Sequence, residues 1–148
     1  MQIDIGDGLV VPVVALPALA LLKILAWHDR RASKNTDASD LLLILRNYHK
    51  TGNEERIRET ATDLLEAYGF ALDLASTALL GRDARQVALA ATRNAARPLL
   101  EDESTYDTLR RDMLARAAMQ MLDEFADGSD KTLAAFRDAF LQPPEGQS

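Results

Sequence analysis

LVVPVVALPALALLKILAWHDRR (residues 9–31) and, four residues later, TDASDLLLILRNY (36–48) decide the fold. The first stretch opens on β-branched residues and passes through Pro12 and Pro17. It continues as an almost wholly apolar helix until Lys23. Proline is tolerated in a first helical turn, so a helix is expected over about 17–31, buried and central. The second stretch places Leu41, Ile44, Leu45 and Tyr48 on one stripe, which predicts a helix over about 37–49. A short link makes the two helices antiparallel neighbours.

Outward from this pair, residues 2–14 read as two short strands. Ile3 and Ile5 alternate with polar neighbours, Gly6-Asp7-Gly8 supplies turn chemistry, and Leu9 to Val14 is apolar. Pro12 confines the second strand to an edge or a bulge. Beyond residue 52 the pattern is helical. Asn53 caps a third helix with the stripe Ile57, Ala61, Leu64, Leu65 and Tyr68, closed by Gly69. A fourth is expected over about 70–80, stopped by Gly81. Asp83 with Gln86 reads as a capping box for a fifth, which Pro98 breaks or kinks. Ser104 with Asp107 reads as the same device, opening a sixth helix on Leu109, Met113, Ala117, Met121 and Phe125 that Gly128 ends. The last helix spans 131–141. The expectation is a mainly α chain: a bundle of about six or seven helices with a short N-terminal β-hairpin. It forms a single helical domain over 1–141 (ribbon 1–15, helices 16–141), with a disordered tail over 142–148.

Composition narrows the function. The chain has 148 residues, 47% of them apolar and 27% charged, which fits one globular core. A net charge of −6 argues against a nucleic-acid binder, which carries a basic face. The absence of cysteine excludes disulfides, thiolate nucleophiles and zinc–sulfur sites. The apolar run from Leu9 to Leu22 is too short to span a bilayer, and the residues before it are acidic. A cytoplasmic protein is expected. Residues 1–52, with six basic and five acidic side chains, form the only third that is not acidic, so an anion would be met there.

One cluster in that third can carry chemistry. Lys23, Trp27 and Arg30 lie on one helical face at i, i+4, i+7. Arg31, Lys34, Asp37 and Asp40 follow within ten residues. Basic groups that neutralise phosphate, beside carboxylates that order them, are the mix phosphoryl-transfer chemistry uses. The plainer reading makes Asp37 the N-cap of the second helix and Asp40 a first-turn dipole partner. It makes Lys23 half of a salt bridge to Asp40, and Arg30 and Arg31 solvated residues at a helix C-terminus. Leu80-Gly81-Arg82-Asp83 reads as a helix stop followed by a start. His28 and His49 lack the carboxylate pattern of a metal site, and no metal ligands are expected.

The stretch from Leu9 to Tyr48 resembles predicted bacterial nucleotidyltransferases of the AbiEii-toxin-like group. In that family an apolar strand passes through a Leu-Pro turn into a helix bearing a lysine and a downstream arginine. A Lys-Asp-x-x-Asp element then opens the next helix. The matching positions are Lys23, Arg30 or Arg31, Asp37 and Asp40, with Thr36 departing from the family's basic residue. LLGRD (79–83) adds a less specific likeness. The resemblance implies supporting catalytic roles for Lys23, Asp37 and Asp40, and nucleotide contacts from Lys23, Arg30 and Arg31. It implies magnesium and a nucleoside triphosphate in an intact relative, and transfer of the nucleotidyl group to a protein or RNA acceptor. The family's Gly-Ser or Gly-Gly turn followed by an Asp-x-Asp pair is absent from this sequence. The chain is therefore expected to be catalytically incomplete: part of a longer protein, an excised domain, or a short protein that has lost catalysis. No cofactor is expected in the chain itself, and self-association through the ribbon or first helix is expected. The alternative is a non-enzymatic interaction or oligomerisation module, antitoxin-like or scaffolding, with the charged cluster as a salt bridge.

Overall fold

A computed structural model describes residues 2–4, 10–12, 16–32, 36–50, 53–119 and 123–142, with side chains at 16–32, 36–50, 53–115 and 130–142. Strands β1 (Gln2–Asp4) and β2 (Val10–Pro12) pair antiparallel, with Ile3 opposite Val11. The turn expected at Gly6-Asp7-Gly8 and the tail from residue 143 lie outside the described residues. The rest is helical: α1 (Leu16–Arg30), α2 (Thr36–Asn47), a 3-10 turn (Tyr48–Lys50), α3 (Asn53–Glu59), α4 (Thr62–Ala67), α5 (Leu72–Val87), α6 (Ala90–Glu101), α7 (Glu103–Met119) and α8 (Asp123–Leu141). The chain is mainly α, with eight α-helices among the described residues rather than six or seven.

α1 buries Leu16, Ala20, Leu21, Ile24 and Trp27, a stripe at i, i+4, i+5, i+8, i+11 that faces α2, α5 and α6. α2 answers with Ala38, Leu41, Ile44 and Leu45. The most extensive helix pair is α5 with α8, whose Leu133, Phe136 and Phe140 are buried. The rings of Phe136 and Phe140 stack with centroids 6.2 Å apart. All these side chains belong to one contiguous apolar cluster.

The helix boundaries differ from the expected ones for specific reasons. The third helix is two, because the backbone turns at Thr60 and Ala61. The Thr60 and Ala61 amides and the Thr60 hydroxyl all donate to the Arg56 carbonyl. Gly69 does close α4, by a Schellman motif. The Phe70 amide donates to the Leu65 carbonyl at 2.7 Å and the Gly69 amide to the Glu66 carbonyl at 3.2 Å. Gly69 and Phe70 both hold positive φ, which costs Phe70 more than glycine.

Gly81 and Asp83 neither stop nor start a helix; α5 runs through both. Gly81 is there for close approach. A Cβ at this position would run into the Phe136 backbone carbonyl and lie 3.1 Å from the Phe140 nitrogen. Pro98 stands inside α6 without ending it. The cap of α7 is Asp102, not Ser104, and its carboxylate accepts from the Thr105 amide at 2.9 Å. Gly128 lies within α8, which therefore begins earlier than residue 131. The side chains of Ala117, Met121 and Phe125 lie outside the described residues.

The glycine contact gives a test. Alanine is the better helix former by about 1 kcal/mol. At position 81 its methyl meets backbone of α8, and overpacking a tight core costs about 1–3 kcal/mol. Gly81→Ala is expected to destabilise the protein by about 1–2 kcal/mol in urea unfolding, against its helix propensity.

Candidate functional site

α1 and α2 bring the expected cluster together. Going up α1 from Lys23 to Arg30 the partners on α2 go down from Asp40 to Asp37, so the helices are antiparallel. The Lys23 ammonium donates to Asp40 Oδ2 at 2.8 Å and lies 3.6 Å from Asp37 Oδ1. The Arg30 guanidinium forks onto Asp37, Nε to Oδ2 at 2.8 Å and Nη2 to Oδ1 at 2.9 Å. Asp37 has no exposed surface, whereas Lys23 and Asp40 keep a solvent edge. Asp37 is the second residue of α2 rather than its cap. The hydrogen bond from Arg30 to Asp37, then the charge of that carboxylate, raises the guanidinium above its ordinary value.

Chemically this is a neutral quartet of two cations and two carboxylates, with Asp37 enclosed and Lys23, Asp40 and, most of all, Arg30 reaching solvent. An ammonium has three donors, so one held by two carboxylates has a direction left for a ligand oxygen. Burial makes a bare charge on Asp37 costly, and Arg30 and Lys23 supply counter-charge to it.

Arg31 does not join the quartet. It turns to α7, where its Nε lies 3.2 Å from Asp112 Oδ2, and its guanidinium carbon is 5.6 Å from the Trp27 ring centre. Trp27, expected on the Lys23–Arg30 face, is in the core and donates its indole N–H to Asp112 at 2.7 Å. His28 is exposed beside Asp29. Among the described residues no three histidine, aspartate or glutamate side chains stand together as metal ligands. The magnesium that the resemblance implies therefore has no ligand set in the quartet, whose carboxylates are already taken by cations.

A second polar network escaped the sequence reading. The Tyr48 hydroxyl donates to Asp83 at 2.5 Å, and Arg56 forks onto the same carboxylate at 3.0 and 3.1 Å. Asn53 accepts from Arg56 and donates to the Tyr48 carbonyl. This ties the 3-10 turn, α3 and α5. The signal was available: in one continuous α5, Asp83 sits at i+7 from buried Ser76 and i+3 from buried Leu80, on the inner face.

The chain matches the family model of the nucleotidyl transferase AbiEii toxin, type IV toxin–antitoxin system, over residues 2–142. The match takes in every helix above. This chain therefore belongs to the AbiEii nucleotidyl transferase toxin family. No curated protein and no solved structure matches it.

The buried network has a pH consequence. Burial, then the hydrogen bond to Asp83, raises the Tyr48 hydroxyl above its ordinary 10.0. Above pH 10 the unfolded chain loses this proton and the folded chain keeps it. Stability therefore falls with rising pH, by up to about 1.4 kcal/mol per pH unit. Tyr48→Phe is expected to cost about 2 kcal/mol at pH 7, as for a hydrogen bond to a charged group. It should also flatten the alkaline decline measured by urea unfolding at pH 9 to 12. An unchanged decline would mean the hydroxyl is not protected.

Proposed function

We propose that this chain provides the helical, phosphate-contacting part of a nucleotidyltransferase-like toxin. The observation that carries this reading is the Lys23 ammonium held by Asp40 and Asp37 at an open edge between α1 and α2. Family membership over residues 2–142 supports it. In the reading, Lys23 contacts a phosphate of a nucleoside triphosphate. Asp40 and Asp37 orient its ammonium, and Asp40, the more accessible of the two, assists the acceptor. Arg30 is a positioning residue, because its two-point fork fixes the Asp37 carboxylate. Arg31 would reach a ligand only by leaving Asp112. The reaction class is transfer of a nucleotidyl group from the triphosphate to a protein or RNA acceptor, with loss of pyrophosphate. The sequence lacks the Asp-x-Asp pair that would hold magnesium, and the quartet does not replace it. The reading therefore takes the chain as catalytically incomplete by itself and routes no step through the metal.

The second reading is a non-enzymatic interaction module, with an antitoxin or a second copy of the chain as partner. It is favoured by the charge balance of the quartet, which satisfies itself without a ligand. Half-exposed Leu22 on α1 and Leu43 on α2 offer apolar contact area beside it. Among the described residues no helix is long and apolar enough to cross a membrane, and the proposal places the protein in the cytoplasm.

One experiment separates the readings. The full chain is titrated calorimetrically with ATP, GTP, CTP and UTP in magnesium buffer, alongside Lys23→Ala, whose melting temperature is also measured. The enzyme reading expects at least one nucleotide to bind and the variant to lose about tenfold or more in affinity. Absence of nucleotide binding in the wild type, with a lower melting temperature in the variant, would leave a salt bridge and favour the interaction module.

A further inference from the structure

From Ala84 to Leu100 this acidic protein has no aspartate or glutamate and three arginines, Arg85, Arg93 and Arg97; Arg82 stands one turn before. α5 and α6 fold this run back on itself. The Arg93 guanidinium donates to the Arg85 carbonyl, which brings the middle of α6 to the last turns of α5. Arg97 lies with its guanidinium carbon 5.8 Å from the Phe140 ring centre.

Arg85 is the unusual member. Its Nε and Nη1 are buried and have no acceptor among the described residues. Its other electrostatic neighbours are cations: burial, then Arg82 and Arg97, lowers the guanidinium below the ordinary arginine value. A buried donor without an acceptor is costly, and the like charges of Arg82 and Arg97 add to that cost at Arg85. The other arginines are differently placed. Arg82 is taken up by Asp63, with Nη2 at 2.6 Å from Oδ2. Arg97 is 3.8 Å from Glu101, an exposed i,i+4 pair of little strength.

We propose that Arg85, Arg93 and Arg97 form a second site, one that takes a phosphate-type oxyanion. An oxyanion supplies the acceptors that Arg85 lacks and the negative charge that the run from 84 to 100 lacks. Arginine suits it, since the planar fork matches phosphate geometry. The site lies on α5 and α6 and uses none of the residues on α1 and α2, so it stands or falls independently of the Lys23 reading. The phosphate can come as the free inorganic ion or as the phosphate chain of a nucleotide.

The test uses the full chain in low-salt, phosphate-free buffer. Inorganic phosphate, pyrophosphate and ATP are titrated into the wild type, Arg85→Gln, Arg97→Gln and Lys23→Ala. Binding of phosphate or pyrophosphate is expected in the wild type and in Lys23→Ala, weakening as salt rises. It should weaken about tenfold in each arginine variant. A merely structural Arg85 would show itself in melting temperature. The proposal expects Arg85→Gln to melt no lower than the wild type in phosphate-free buffer, and pyrophosphate to raise the melting temperature of the wild type and of Lys23→Ala but not of the arginine variants. The free-ion source predicts saturation by phosphate itself. The nucleotide source predicts that ATP binds at least tenfold more tightly than phosphate and is still lost in the arginine variants. The proposal is overturned if neither phosphate nor pyrophosphate binds the wild type, or if binding survives both arginine changes. It is also overturned if binding disappears only in Lys23→Ala, which would assign it to the α1–α2 quartet. Should Arg85→Gln fail to fold, Arg97→Gln decides by the same criteria.

Discussion

The first turn of α2 holds a carboxylate, Asp37, with no contact to water. A bare charge there would cost several kcal/mol. Much of the arrangement of α1 follows from meeting that cost. The N-terminal end of α2 favours an anion through its dipole, the Arg30 fork supplies two charge-assisted hydrogen bonds, and Lys23 adds a second cation. Lys23 and Arg30 are about 10 Å apart along α1, while Asp37 and Asp40 are about 4.5 Å apart along α2. Two long side chains bridge that difference by converging, which their flexible stems allow. A one-residue slip of α1 would turn Arg30 away by about 100° and leave Asp37 without its fork. The apolar stripe of α1 faces the core only at the same setting, so charge and hydrophobic pattern specify one register.

The far side of the bundle obeys a different constraint, closeness. α5 and α8 approach until Gly81 lies against the backbone of Phe136 and Phe140. This is why the segmentation of the middle of the chain could not be read from local rules. In sequence, LLGRD carries the signs of a helix end followed by a helix start, glycine and then aspartate. In the fold, glycine is where a neighbour's backbone passes and aspartate is where Tyr48 and Arg56 meet. Both are tertiary reasons, and a single sequence shows neither. The opposite held at Gly69. A Schellman turn is a local device, made from residues within one turn of one another, and its residues announced it. The split at Thr60 and Ala61 was hidden because the apolar stripe keeps its helical spacing across the break.

The site was legible to the same degree and for the same reasons. Lys23 could be matched to Asp40 because a charged group in an otherwise apolar helix must have a partner, and the short link to α2 left few. Arg30 and Arg31 could not be separated. Adjacent helical residues differ by about 100° in direction, and that angle is what sends Arg31 to Asp112 on α7 and Arg30 to Asp37. The arginines of α5 and α6 were invisible for another reason. Summed over residues 53–103 the charge is −4, because Asp63, Glu66 and their like outnumber them. Only the narrower window from Ala84 to Leu100 is free of acids, and only the fold sets Arg93 against the carbonyl of Arg85.

Stability alone does not call for the quartet. Replacing a buried ion-pair cluster by apolar side chains of similar volume is often neutral or favourable, whereas removing one partner is costly. Three of the four groups, Arg30 most of all, are also partly exposed, and solvent weakens their attraction. What the charges add is direction. Arg30 and Asp37 are locked by a two-point fork, and this holds Lys23 and Asp40 at the rim in a fixed geometry. An enclosed carboxylate that orients cations at the surface is an arrangement a binding site can use, since first contacts must be held by a supporting shell. The proposed ligand contact at Lys23 therefore rests on the one enclosed carboxylate, Asp37, around which Lys23, Asp40 and the more exposed Arg30 are held.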